Sequence, residues 1–190
     1  MNIPNKLTIA RMLITPVFLA VILMDFPHKF IVSAVVFVIA SLTDFMDGRL
    51  ARKNNEITVF GKLLDPVADK MLTTAAMLAF MKMGLCNIWV VMIVLTREFV
   101  ITSVRLVASA QGVVIPANMW GKVKTACQMT FTILILVLGE LQETFNIFRF
   151  IKFIGFEEFS GILLWITAVL TVISGLTYLA ESRKTIDFSS

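Results

Sequence analysis

Cysteine, histidine and charge are all scarce in this chain of 190 residues. The two cysteines, Cys86 and Cys127, have no metal-ligand spacing, so neither a disulfide framework nor a cysteine metal site is expected. The single histidine, His28, stands alone in a short polar break. Charged residues make up 16% of the chain, against about 25% in a soluble domain. Nine glycines and five prolines exclude a collagen-like or low-complexity chain. What fills the sequence instead is apolar: 58% hydrophobic residues and a mean hydropathy of +0.88. A water-soluble globule of this size has too little interior for so much Leu, Ile, Val, Phe and Met. Six spans of about 20 residues would use most of the chain, leaving no room for a separate soluble domain. The expected architecture is therefore an all-α, polytopic membrane protein with six transmembrane helices and one domain over residues 1–190. No small-residue cleavage site follows the first apolar stretch, so a removable signal peptide is not expected.

The apolar segments run over Leu7–Met24, Phe30–Met46, Pro66–Met81, Ile88–Ala108, Met119–Leu138 and Gly161–Leu179. Polar breaks separate them, the longest from Arg49 to Phe60 and from Gln142 to Ser160. The latter mixes charges with Phe145, Phe148, Phe150, Phe153 and Phe156, a composition suited to an interfacial amphipathic segment or lid. Trp89, Trp120 and Trp165, near segment ends, fit interfacial anchors. The net charge of +4 points, in such a chain, to cytoplasmic loops and anionic lipid rather than to nucleic acid. With alternating spans, thirteen of the seventeen Lys and Arg residues fall on one side and Lys29, Lys82, Arg149 and Lys152 on the other. This asymmetry predicts cytoplasmic termini in a plasma-membrane protein. It also puts the region from Asp44 to Asp69 at the cytoplasmic face.

Asp44 and Asp47 are spaced i, i+3, and Asp65 and Asp69 i, i+4, so each pair shares a helix face. One pair ends the second segment and the other opens the third, so an antiparallel hairpin would gather all four. Carboxylates near membrane depth default to a functional reading. Four in proximity repel one another unless cations neutralise them. Oxygen ligands without a nearby His or Cys favour Mg2+ or Mn2+, and two divalent ions would balance four negative charges. A solvated cluster paired with Arg49, Arg52, Lys53, Lys62 and Lys70 is the simpler alternative. A divalent-cation transporter is another, but it would show polar groups continuing to the far face or a second inverted half, and no second four-aspartate hairpin occurs.

The run Asp44-x-x-Asp47-Gly48-x-x-Ala51-Arg52, eight residues, then Gly61-x-x-x-Asp65-x-x-x-Asp69 resembles the signature of the CDP-alcohol phosphatidyltransferase family. The resemblance implies six transmembrane helices, a homodimer, and a divalent-metal site in which an alcohol displaces CMP from a CDP-linked lipid. It implies Asp44, Asp47, Asp65 and Asp69 as metal ligands, with Asp69 also the general base. Asp44, Gly48, Ala51, Arg52 and Gly61 would line the CDP site, joined by Asn5 and Thr8, although Asn5 equally suits a helix cap.

Three further stretches, Asn2 to Arg11, Thr96-Arg97-Glu98-Phe99 through Arg105, and Gly121-Lys122-Val123-Lys124-Thr125, resemble the phosphatidylglycerophosphate-forming branch of that family. Its substrates are CDP-diacylglycerol and glycerol 3-phosphate; phosphatidylglycerol or an inositol phosphate is the alternative acceptor. Charge agrees independently, because Arg97, Arg105, Lys122 and Lys124 add cations on the metal-site side, where a dianionic acceptor needs them. On a helix, Glu98 and Arg105 fall about 20° apart with Thr102 between. Glu98 could thus partner Arg105 and leave Arg97 to bind the anion. Lys122 and Lys124 lie about 200° apart, so one of the two is expected in the pocket.

Overall fold

The computed structural model describes the backbone of residues 3–54, 59–111, 118–149 and 154–183, and their side chains except at 3–7, 44–54, 59–66, 69, 110 and 149. Among the described residues the chain is all helical: α1 (Ile3–Leu23), α2 (Lys29–Asn54), α3 (Val59–Lys82), α4 (Ile88–Ala110), α5 (Met119–Phe145) and α6 (Phe156–Ser182), with one 3-10 turn at Ile147–Arg149. Each apolar segment maps onto one helix. The helices overrun the apolar segments: α2 continues through the polar residues to Asn54, and α3 begins a full turn and more before Pro66.

Starts and stops are local chemistry. Asn87 and Asn118 cap α4 and α5 by accepting the Trp89 and Trp120 N–H groups at 2.9 and 2.7 Å, satisfying donors that a helix start leaves open. Asn146, with φ 51° and ψ 44°, ends α5 in the left-handed conformation. At the start of α6 the Glu158 carboxylate accepts the Gly155 N–H at 3.0 Å.

Helix α1 packs closely against both α2 and α3, whereas α2 and α3 touch only slightly among the described residues. Among the described residues α1 therefore bridges α2 and α3, and the ends of α2 and α3 at which a hairpin would gather the aspartates have side chains outside the described residues. Small residues on α3 allow the close approach: Ala68, Ala75, Ala76 and Ala79 are all buried. The second group is α4, α5 and α6, and α2–α5 and α3–α4 contacts join the two. Phe18, Phe37, Leu72, Phe80, Val90, Ile135 and Leu164 fill the core, with the Phe18 and Phe37 rings 5.7 Å apart.

Large apolar side chains are exposed on every helix, among them Leu13, Val35, Leu78, Phe99, Val123 and Trp165. Helices α5 and α6 are each long and apolar enough to cross a membrane, and α1 and α2 carry shorter apolar stretches, Thr8–Leu23 and Lys29–Thr43.

The two ends of the bundle differ. At one end His28 meets Glu140 at 2.5 Å and Lys29 meets Glu143 at 3.4 Å, tying the start of α2 to the end of α5. Phe148 packs on Phe156 and Phe159, and Phe156 on Phe30. Of the aromatic residues expected to form an interfacial segment or lid, Phe148 and Phe156 pack as rings at this end, Phe145 is exposed, and Phe150 and Phe153 lie outside the described residues. The opposite end carries the polar site.

Candidate active site

Towards that end Glu98, at the middle of α4, collects cations from three helices. Its carboxylate lies 2.6 Å from the Lys124 ammonium of α5, 2.9 Å from the Arg97 guanidinium of α4 and 3.4 Å from the Lys70 ammonium of α3. Lys70 also donates to the Glu98 carbonyl at 3.0 Å and to the Thr102 hydroxyl. Thr102 in turn donates to the Glu98 carbonyl at 2.7 Å. The Lys124 side chain is 3% exposed and that of Glu98 18%, so these charges sit where water screens them weakly.

Among the described side chains, three cations against one carboxylate leave two positive charges in this cluster. The Arg97 Nε is buried with no partner among the described residues. A buried guanidinium N–H without an acceptor costs free energy unless a ligand supplies one.

The acceptor residues expected from the sequence separate here. Arg97 and Lys124 are in the cluster. Lys122 is exposed on the other side of α5, so Lys124 is the member of that pair turned inward. Arg105 is exposed at the rim: its Nε donates to the Tyr178 hydroxyl at 3.2 Å, and its guanidinium lies 5.4 Å from the Tyr178 ring centre. Glu98 therefore does not partner Arg105, although the two share a face of α4. Lys70 and Lys124 reach Glu98 from neighbouring helices, and Tyr178 engages Arg105. Sequence reasoning left Lys70, Ser174 and Tyr178 out of the site. Their available signal was a polar residue at a helix interior position.

The signature residues have a described backbone and undescribed side chains. Asp44, Asp47, Gly48, Ala51 and Arg52 lie on α2, and Gly61, Asp65 and Asp69 on α3. Helical backbone through both stretches keeps the i, i+3 and i, i+4 registers on which the paired carboxylates depend. Asp69 immediately precedes Lys70, which ties the signature to the Glu98 cluster through one helix. The Asn5 side chain also lies outside the described residues. Thr8 is buried on α1, as are Arg11 and Thr15 further along it, so α1 sends a polar stripe in between α2 and α3.

Among the described residues no group of three or more His, Cys, Asp and Glu side chains could hold a metal ion. The four signature aspartates are outside that set, and as donors they fit a hard divalent ion: carboxylate oxygen only, with His28 at the opposite end of the bundle.

The family model described as CDP-alcohol phosphatidyltransferase matches residues 1–173. A CDP-diacylglycerol–glycerol-3-phosphate 3-phosphatidyltransferase of Bacillus subtilis (strain 168) is 36% identical over 201 residues, covering 100% of this chain and 99% of its own. Proteins of the same name from Rickettsia bellii (strain RML369-C) and Haemophilus influenzae (strain ATCC 51907 / DSM 11121 / KW20 / Rd) are 38% and 34% identical, covering 96% of this chain and 96% and 94% of their own. The family is generally dependent on divalent metal, and with two long apolar helices it fits a membrane protein. By the extent of the family match and the full-length relatives, the chain belongs to the CDP-alcohol phosphatidyltransferase family.

Proposed function

We propose that this protein transfers the phosphatidyl group of CDP-diacylglycerol to glycerol 3-phosphate, giving phosphatidylglycerophosphate and CMP. The carrying observation is the Glu98 cluster, where among the described side chains Lys70, Arg97 and Lys124 set three positive charges against one carboxylate. A phosphomonoester carries nearly two negative charges at neutral pH, so the acceptor's phosphate matches the cluster in charge. A choline or ethanolamine acceptor would be repelled. The names of the full-length relatives support the same acceptor.

In this reading Arg97, Lys70 and Lys124 hold the acceptor phosphate, and Arg105 guards the rim. Lys122, exposed on α5, takes the lesser part of anchoring at the membrane face. Asp69 takes the proton of the attacking hydroxyl. The oxygen so exposed bonds to the phosphatidyl phosphorus as the bond to CMP breaks. Asp44, Asp47, Asp65 and Asp69 would hold two divalent ions, Mg2+ or Mn2+, which when bound supply neutralising charge for the pyrophosphate. Gly48, Ala51, Arg52 and Gly61, with Asp44, Asn5 and Thr8, form the CDP site, where small residues let the nucleotide lie against backbone.

The chain is read as one domain, residues 1–190, with six membrane crossings, both termini and the active site cytoplasmic, working as a homodimer. Exposed apolar side chains on all six helices support the crossings, and the distribution of Lys and Arg supports the orientation. The decisive test is CMP release by the purified protein from CDP-diacylglycerol, with glycerol 3-phosphate, an inositol phosphate or phosphatidylglycerol as acceptor. Metal-dependent release with glycerol 3-phosphate well above the other two is expected. Release that needs phosphatidylglycerol or the inositol phosphate would overturn the acceptor assignment.

A further inference from the structure

The end of α6 lies partly beyond the residues matched by the family model, which stop at 173, yet it makes two specific contacts with the arginines of α4. Ser174 is fully buried, and its hydroxyl accepts from an Arg97 terminal amino group at 2.6 Å. Other hydroxyls of α6 behave differently: Thr167, Thr171, Thr177 and Ser182 each donate to the carbonyl four residues earlier, the ordinary outlet for a hydroxyl inside a helix. One turn on, Tyr178 is 2% exposed, accepts the Arg105 Nε–H and covers that guanidinium with its ring. Between them Gly175 leaves room for the Arg97 stem, since a Cβ there would stand 3.1 Å from Arg97 Cγ. Gly121 of α5 lies on another side of Arg97, where a Cβ would stand 3.6 Å from its amino group, an ordinary packing distance.

We propose that Ser174, Gly175 and Tyr178 form a positioning element that presets Arg97 and Arg105 for the phosphate of the acceptor. The proposal rests on the reading of the Glu98 cluster as the acceptor site. Physically, a long flexible arginine loses rotamer entropy when it grips an anion, and holding it beforehand removes that cost from binding. Arg97 is held at both amino groups, by Glu98 at 2.9 Å and by Ser174. The N–H on Nε is buried without a partner among the described residues. Arg105 needs the support more, because it is exposed at the rim. Tyr178 fixes one face and one N–H of its planar guanidinium, and the amino end stays available for a bidentate contact. Ser174 and Tyr178, spaced i, i+4, meet the site from one face of α6.

The test is steady-state kinetics on Ser174→Ala, Ser174→Thr, Tyr178→Phe, Tyr178→Leu and Gly175→Ala, with Arg97→Ala measured alongside. Ser174→Ala and Tyr178→Leu should each raise the KM for glycerol 3-phosphate roughly tenfold, the scale of one hydrogen bond to a charged group. The KM for CDP-diacylglycerol should move less than about twofold, because among the described residues the side-chain hydrogen bonds of the element go to the acceptor arginines. Ser174→Thr keeps the hydroxyl and should recover most of the loss, and Tyr178→Phe keeps the ring and should fall between wild type and Tyr178→Leu. Gly175→Ala should reproduce Ser174→Ala by displacing Arg97. A merely structural role would lower kcat and disturb both KM values together, and that result overturns the proposal. So does a selective effect in Arg97→Ala with none in Ser174→Ala and Tyr178→Leu, in which case the acceptor site itself stands. If Arg97→Ala shows no selective effect either, the acceptor-site reading fails and takes the proposal with it.

Discussion

Replacing Glu98 by Gln tests the charge balance of the site directly. The amide keeps one acceptor oxygen and nearly the same volume, so the change removes the charge and turns one of the two acceptors into a donor. Three cations then face one another without their shared counter-ion, and one of them, Lys124, has a side chain only 3% exposed. Breaking a buried ion pair by neutralising one partner costs about 3–5 kcal/mol. The partial exposure of Glu98 points to the lower end, about 3 kcal/mol. For a chain of this length that corresponds to a fall in Tm of about 6–12 °C. The assay is thermal unfolding of the purified protein in detergent, without phosphate or substrate. Adding glycerol 3-phosphate should raise the Tm of Glu98→Gln by more than that of wild type, because the ligand then supplies the missing negative charge. The double variant Glu98→Gln/Lys124→Met should regain most of the loss, since removing both members of a buried pair is often neutral. A Glu98→Gln protein within about 2 °C of wild type in anion-free buffer would refute the reasoning.

Asp→Asn at Asp44, Asp47, Asp65 or Asp69 should remove most activity and abolish the rise in Tm on adding Mn2+, while the metal-free Tm holds or increases because carboxylate repulsion is relieved; a variant that keeps both turnover and the Mn2+ response would exclude that residue as a ligand. Gly139→Ala should destabilise by about 1–2 kcal/mol, the overpacking cost less the helix gain of alanine, because the new Cβ would stand 2.6 Å from the Phe30 ring, which is itself wedged against Phe156. Gly161→Ala, where the nearest atom is a carbonyl at 3.9 Å, should instead be neutral or stabilising, and equal melting losses in the two variants would contradict the packing. At the opposite end, hydrogen bonds from His28 first, then Ile31 and Thr144, hold the Glu140 carboxyl below the usual carboxylate range. Its contribution is therefore present above the ordinary carboxylate pKa and disappears as pH falls through the lowered value. Glu140→Gln should cost about 0.2–1 kcal/mol at pH 7, with the Tm gap closing on acidification; a gap independent of pH would count against this latch.

What the sequence made legible and what it concealed follow from the range of the forces involved. Apolar runs and polar breaks dictate where helices lie, and all six came through in order. Their ends did not, because nothing in Arg49 to Asn54 opposes helix once α2 has started, and a polar composition alone does not stop a helix without Gly, Pro or a cap. The helical backbone under the paired aspartates was legible because i, i+3 and i, i+4 spacing is a property of one helix. The partners of Glu98 were not. A face-by-face reading pairs Glu98 with Arg105, seven residues on, but Lys70, Lys124 and Tyr178 come from three other helices, and only their packing decides which reaches first. The same holds for Lys122 against Lys124, where the separation of about 200° announces a choice and the seating of α5 on α2 and α6 makes it. Helix α6 hid its role most completely, since Ser174 and Tyr178 in an apolar helix read as tolerated polar residues until Arg97 and Arg105 are seen against them. One junction joins what was legible to what was not. Successive residues on a helix point about 100° apart, so at Asp69 and Lys70 the same turn of α3 carries the last signature carboxylate and, on an adjacent face, the lysine that reaches Glu98. One helix turn therefore carries both the proposed general base and one of the three cations of the proposed phosphate cradle, and a shift of α3 would move that residue and Lys70 together while Arg97 and Lys124 stay on α4 and α5.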